Sequence, residues 1–319
     1  MEPARRHSGA VAGLVLMTVV WGGTFAAMKV ALGAHLGVGA LLTLRFALGA
    51  LGLGAFLWGL KVPVTRQAVK DGLVLGLVLT VIFWMQVDGL RYTSTSKSAF
   101  ITGLYVIFTP LVSILFRRPP RLNHGLGAAI ATLGLYLLVH EPGQPSGGWT
   151  FGDSETLLCA LGSGFHIVLT GLYSQRSSGW VLAFVQVAVV AVLSAAITPV
   201  IPAAPLANGT RLGGFEGLPG LLLRPEVWVP LLYLGLLGTT LAFYLMSTLQ
   251  RHLGATEAAV IYSLEPVFAA LLAMTGWIPG IHEHLRGTQI LGGAVILGAM
   301  LMAELAPPGF GLRRKDQST

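Results

Sequence analysis

Apolar runs of roughly twenty residues recur along the chain, separated by short polar breaks. They fall at 10–31, 39–58, 70–90, 95–116, 124–140, 154–174, 180–200, 226–250, 256–276 and 286–305. Each is long enough for a helix to cross a bilayer, so the pattern predicts ten membrane-spanning helices. The breaks are brief except over 201–225, which is rich in proline and glycine. The first run follows a basic N-terminus in the manner of a signal peptide. It is full length and no small-residue cleavage site closes it, so it reads as a retained helix.

Polar positions inside the runs are patterned. Between Arg91 and Phe116, the residues Ser98, Thr102, Tyr105 and Thr109 share one helical face. Pro110 lies in the same run, where a missing N–H kinks a helix. Thr80, Trp84, Asp88 and Arg91 form a similar stripe in the third run, and Cys159, Ser163, His166 and Thr170 in the sixth. Lipid cannot satisfy such groups, so the stripes are expected to face a shared interior or a water-filled cavity. Hydrogen bonding between helices accounts for any single Ser or Thr. The set as a whole, with Trp84, Tyr105, Tyr244 and Tyr262 in it, points to a cavity.

A shift of 160 residues nearly superposes parts of the chain. Arg91 falls on Arg251, Ala99 on Ala259, Ile101 on Ile261, Leu104 on Leu264 and Phe108 on Phe268. One helix earlier, Thr80 matches Thr240, Phe83 matches Phe243 and Trp84 matches Tyr244 in the same register. In the ninth helix Tyr262 and Glu265 replace Thr102 and Tyr105. Five helices per half is an odd number, so the halves must enter the membrane from opposite sides, the inverted-repeat plan of many secondary transporters. The expected fold is an all-α polytopic membrane protein built as two inverted five-helix repeats around a central cavity. The expected division is a first repeat over 1–140, a linker over 141–152, a second repeat over 153–306 and a basic tail over 307–319.

Composition agrees with the pattern. The chain of 319 residues is 54% hydrophobic and 10% charged, against about 25% charged in a soluble domain. The formal charge of +7 does not mark a nucleic-acid partner, because the basic residues lie mostly in short loops. With the N-terminus inside, inner segments hold 13 Lys and Arg, outer segments hold 4, and Lys29, Arg45 and Lys97 fall in helices. That bias places both termini in the cytoplasm. The single cysteine, Cys159, excludes an internal disulfide framework and a cysteine metal cluster. There is no phosphate loop, no H-E-x-x-H and no G-x-S-x-G elbow, so no cofactor, metal or catalytic role is expected. His282-Glu283-His284 reads as an exposed turn.

Ionisable groups at membrane depth cost about 2.5–3.5 kcal/mol each on insertion scales. Lys97 and Glu257 hold equivalent positions near helix starts, where snorkelling explains them as well as function does. Arg45 is expected to hold the bundle together near one end. Glu265 is deeper and precedes Pro266. It is either a structural carboxylate paired with a neighbouring helix or a proton or substrate site. His166 sits mid-helix, as a packing histidine or a group that titrates near neutral pH.

Several motifs together resemble the EamA branch of the drug/metabolite transporter superfamily, over essentially the whole chain. The first helix carries WGGTFAAMK (Trp21 to Lys29), similar to the family's opening W-G-x-x-F. The second begins Leu44-Arg45-Phe46. The fourth, SKSAFITGLYVIFTPL, is similar to the family's A-F-I/L-T…P-V-F-T-P-L segment, and SLEPVFAALLA (Ser263 to Ala273) resembles its second-half counterpart. Two departures stand out. The family usually has proline where Val106 stands, so the kink of the fourth helix is expected to rest on Pro110. The family's Gly-Glu-x-Leu turn is RRPPRL (Arg117 to Leu122) in the first half and HEHL (His282 to Leu285) in the second.

The resemblance implies ten helices, cytoplasmic termini, a cavity lined by both repeats, and export or exchange of small metabolites, amino acids or drugs across the cytoplasmic membrane. The residues expected to contact the solute are Trp21, Trp84, Thr102, Tyr105, His166, Tyr244, Tyr262 and Glu265. Lys29, His166 and Glu265 are the candidates for charge or proton coupling, and Pro110 and Pro266 for hinges. The expected partners are a small-molecule solute, membrane lipid and protons. An uncoupled facilitator or exchanger of the same fold is the alternative. A membrane-embedded enzyme or lipid-handling protein would need a catalytic constellation that the polar stripes do not offer.

Overall fold

The computed structural model describes residues 2–93, 95–139, 150–200, 215, 217–274 and 287–305. Residues 141–149 of the expected linker, the basic tail, most of the 201–225 segment, the HEHL turn and the side chain of Lys97 lie outside the described residues. Among those residues there is helix and turn and no strand. The helices form ten rods. These are α1 (Glu2–Gly22, resuming at Thr24–Gly33), α2 (Val38–Gly59), α3 (Arg66–Tyr92), α4 (Thr95–Gly103, resuming at Tyr105–Leu115) and α5 (Leu122–Val139). They continue with α6 (Phe151–Tyr173), α7 (Gly179–Ile197), α8 (Pro225–Leu249), α9 (Ala255–Tyr262, resuming at Glu265–Met274) and α10 (Gly287–Leu305). A single turn, Leu218–Leu221, precedes α8.

Local chemistry fixes several starts. Thr65 caps α3 by accepting from the Ala68 N–H at 3.1 Å. Thr150 and Asp153 close a reciprocal capping box at the start of α6. The Glu257 carboxylate accepts from the Gly254 N–H at 3.0 Å at the start of α9. Outward faces are apolar, as a lipid-facing surface requires. On α3, Leu73, Leu77 and Val81 are exposed, and Trp58 near the end of α2 is 88% exposed, at a depth suited to a membrane-interface aromatic.

The two halves run in opposite directions. Gly39 of α2 faces Thr198 just past α7, Gly49 faces Val187 and Gly54 faces Phe184. Numbering rises along α2 as it falls along α7, so these equivalent helices are antiparallel. By contrast, Gly72 faces Val185 and Gly76 faces Val189, so α3 runs parallel to α7. The same pairing recurs between α8 and α2, where Gly235 meets Leu48 and Thr240 meets Gly52. The pairs α1–α8 and α6–α3 correspond, as do α1–α9 and α6–α4. Helices α5 and α10 pack on each other at Gly134 and Ile296. The matched pair Phe83 and Phe243 meets across this pseudo-two-fold with ring centroids 6.2 Å apart.

Three of the rods are interrupted at the centre. The break in α4 falls at Leu104 and that in α9 at Ser263–Leu264, at equivalent places in the repeat. Pro110 lies inside an intact helical segment, six residues beyond the α4 break. Pro266 is the second residue after the α9 break. The break therefore forms in the first half with Val106 in place of proline. Within α8, Tyr233–Leu241 widens to a π-helix. Such stretches mark functional positions.

Candidate functional site

A cavity of about 70 Å³ lies where both repeats cross. α1 supplies Trp21 and Thr24, α2 supplies Arg45, and α3 supplies Phe83 and Gln86. α4 adds Thr102 and Tyr105, α6 adds Ser163 and His166, α8 adds Phe243, and α9 adds Tyr262 and Glu265. A space of this size holds a few waters at most, so a larger solute needs the rods to part.

Arg45 is the largest fully buried side chain, 1% exposed. Its Nε donates to Thr239 Oγ1 at 3.0 Å and its Nη2 to the Gly238 carbonyl at 3.4 Å. The guanidinium lies over the Phe83 ring at 4.7 Å and beside Phe46 at 5.3 Å. Burying a lone cation costs several kcal/mol. Two ring faces and two oxygen acceptors offset part of that. The π-helical turn matters here, because it presents the Gly238 carbonyl to both Arg45 Nη2 and Trp21 Nε1, the latter at 3.2 Å.

Glu265 is the only carboxylate lining this cavity and is buried. Arg45 and Tyr105 are its electrostatic neighbours. Arg45 and Glu265 make no direct ion pair, and the Tyr105 hydroxyl beside the carboxylate has no hydrogen-bond partner in good geometry. Thr102 Oγ1 is likewise buried and unpartnered. Unsatisfied buried groups cost about 1–3 kcal/mol each, and here they cluster around one small space.

A second polar chain runs through the same region. Gln186 Nε2 donates to Ser247 Oγ at 3.0 Å, which turns its amide oxygen toward His166 Nε2 at 2.7 Å. Nε2 must then carry the proton, leaving Nδ1 as an acceptor. Tyr262 donates to Gln250 Oε1 at 3.0 Å, and Gln250 Nε2 donates to the Ile167 carbonyl at 2.5 Å. Trp21 sets its ring edge-on to both Phe243 and Tyr262, each at 5.9 Å.

Of the solute-contact residues expected from sequence, Trp21, Thr102, Tyr105, His166, Tyr262 and Glu265 line the cavity, and Trp84 and Tyr244 do not. Trp84 Nε1 donates to Ser194 Oγ on α7 at 3.1 Å. The Tyr244 ring stacks on Trp180 at 4.0 Å. Lys29 is also elsewhere. Its ammonium donates to the carbonyls of Leu90 and Thr93, at 3.0 and 3.3 Å, where α3 ends. Arg45 is central to the cavity rather than an end clamp. Sequence reading passed over Thr24, Gln86, Gln186, Ser247 and Gln250. Gln86 and Gln186, each a polar residue in a strongly apolar run, carried the one signal that was available.

The family model described as the EamA-like transporter family matches the chain twice, over residues 8–140 and 150–304. A protein of Archaeoglobus fulgidus named as an uncharacterized transporter is 31% identical over 294 residues, covering 92% of this chain and 85% of its own length. A solved crystal structure superposes with a TM-score of 0.71 at 18% identity, over 94% of this chain and 97% of its own. At that identity the likeness concerns the fold.

Proposed function

The chain belongs to the EamA-like transporter family, and from that premise we propose that this membrane transporter is a secondary carrier working by alternating access. The central cavity is its solute site. One observation carries the reading: Arg45 and Glu265, a base and an acid from different repeats, line one cavity without forming an ion pair. A small polar solute bridges them in the loaded state, displacing water. Trp21, Phe243 and Tyr262 hold its apolar part. The buried Thr102 and Tyr105 hydroxyls supply its hydrogen bonds.

Glu265 is the proposed coupling carboxylate, exchanging a proton as the cavity changes sides. The breaks at Leu104 and Ser263–Leu264, flanking Tyr105 and Glu265, are the proposed flexing points. The Lys and Arg bias supports a cytoplasmic N-terminal side, and the net movement is export or exchange. The test is uptake of a metabolite, amino-acid and drug panel into proteoliposomes, with and without an imposed pH gradient. Accumulation driven by the gradient and lost in Glu265→Gln supports the coupled carrier. Equal equilibration with and without the gradient makes it a facilitator. No transport of any compound, with the protein folded and correctly inserted, overturns the assignment of the cavity.

A further inference from the structure

A second cavity, about 360 Å³, opens at the end of the bundle where α1, α5 and α9 begin and α4 and α6 finish. It is separate from the central one. Consecutive residues of α6 face the two spaces, Ile167 the central cavity and Val168 this one. The Gln250–Ile167 hydrogen bond lies in the wall between them.

Its lining is cationic. α4 ends on Arg117 in a left-handed turn, φ 56°. The chain then passes through Arg118, Pro119, Pro120 and Arg121 along the cavity edge. Neither the Arg118 nor the Arg121 guanidinium has a hydrogen-bond or ion-pair partner among the described residues. The one carboxylate in the lining, Glu257, is already engaged. It accepts from the Gly254 N–H, and it lies 3.3 Å from His7 and 3.9 Å from His124. His252 adds a third imidazole.

Arginines at such a mouth also follow from topology alone. Two further side chains do not. Ser113 and Thr256 line this cavity, each residue is 3% exposed, and neither hydroxyl has a partner. Buried hydroxyls are ordinarily satisfied. These two come from α4 and α9, the equivalent helices of the two repeats, and they share the lining with Arg118 and Arg121. Ala255, Thr256 and Glu257 of the first turn of α9 also line the cavity. The volume is at the lower end of the range for small-ligand sites.

The geometry points to an oxyanion site in this vestibule, binding a phosphate group between Arg118, Arg121 and the hydroxyls of Ser113 and Thr256. The phosphate belongs either to a soluble metabolite or to an anionic phospholipid headgroup. The site does not depend on the central cavity being a transport site.

The test uses the full-length protein in uncharged detergent, titrated with inorganic phosphate at fixed ionic strength, followed by calorimetry and thermal melting. Saturable binding is expected. It should weaken about tenfold or more in Arg118→Gln/Arg121→Gln, equivalent to loss of one or more charge-assisted contacts. Thr256→Val, of the same shape, should weaken it by roughly threefold to tenfold. Arg66→Gln, an exposed arginine at the same end of the bundle, should leave it unchanged. Melting without phosphate reports whether each variant is folded. Repeating the titration in nanodiscs separates the sources. Phosphate binding abolished by anionic phospholipid assigns the site to a headgroup, and binding that persists assigns it to a soluble ligand. Absence of saturable binding in both detergent and nanodiscs, or equal weakening in Arg66→Gln, overturns the proposal.

Discussion

Arg45 and Glu265, contributed by α2 and α9, line the same cavity and sense each other electrostatically without forming an ion pair. Each therefore stays buried without a salt-bridge partner. Truncating either one leaves the other less compensated. Arg45→Met and Glu265→Gln should each lower the thermal midpoint, and the double variant should lose less than the sum of the two. A coupling of about 1–3 kcal/mol is the usual range for residues sharing one network. Melting curves of the four proteins in one detergent measure it. Strict additivity would show that the two charges act independently.

The position of the helix breaks separates the two prolines. Pro266 lies next to its break, where its absent N–H leaves the Tyr262 carbonyl without an intrahelical donor. Pro110 sits within the continuous segment that starts at Tyr105. Pro266→Ala restores a donor beside the break and should slow transport severalfold. Pro110→Ala should leave the rate within about twofold, since the α4 break does not depend on it. Initial rates in proteoliposomes decide this, and a larger loss in Pro110→Ala would place the hinge of α4 at the proline instead.

The fold was legible because hydrophobic runs of bilayer length and a shifted register are one-dimensional signals. The site was legible in part. On α4, helical spacing singled out Thr102 and Tyr105, and both reach the cavity. On α3 and α8 the polar stripe misled. Thr80 bonds its own helix at the Gly76 carbonyl, Trp84 bonds α7, and Asp88 pairs with Arg91. The cavity is lined instead by the adjoining apolar face, Leu79, Ile82 and Phe83 with Gln86, and by Phe243 and Met246 on α8. Periodicity marks a polar face. It does not say whether another helix or a cavity covers that face. The π-helical turn that hands Gly238 to Arg45 breaks the 3.6-residue period and has no pattern to read.

Away from the cavity, Asp71 ties the start of α3 to the α6–α7 turn. Arg176 grips its carboxylate with two nitrogens, at 2.9 and 2.5 Å, and Ser177 and Gln67 also donate to it. Asp71 is buried and Arg176 is about half exposed, its side chain 54% accessible. Solvent screening discounts the pair, so Arg176→Ala should cost about 1–2 kcal/mol, a few degrees of melting temperature. Arg176→Lys should recover less than half of that, because a lysine cannot make the two-point contact. Full recovery by lysine would mean that charge alone matters there.

Cys159 offers a native probe of the rods parting. It is fully buried beside Thr102 and Ser163, between α4 and α6, close to the cavity. A thiol in that position reacts only when the surrounding helices open, so its labelling rate follows the open population. The Tyr262–Gln250–Ile167 chain of hydrogen bonds links α9, the turn after α8 and α6 on the N-terminal side of the cavity. Buried hydrogen bonds between membrane helices contribute roughly 0.6–1.7 kcal/mol each. Gln250→Ala removes two of them and should raise the open population about tenfold. The expected readout is a matching rise in maleimide labelling of Cys159, followed by mass spectrometry at constant temperature. Tyr262→Phe removes one bond and should give a smaller rise. If both variants label at the parent rate while unfolding normally in denaturant, these hydrogen bonds do not hold the cavity closed.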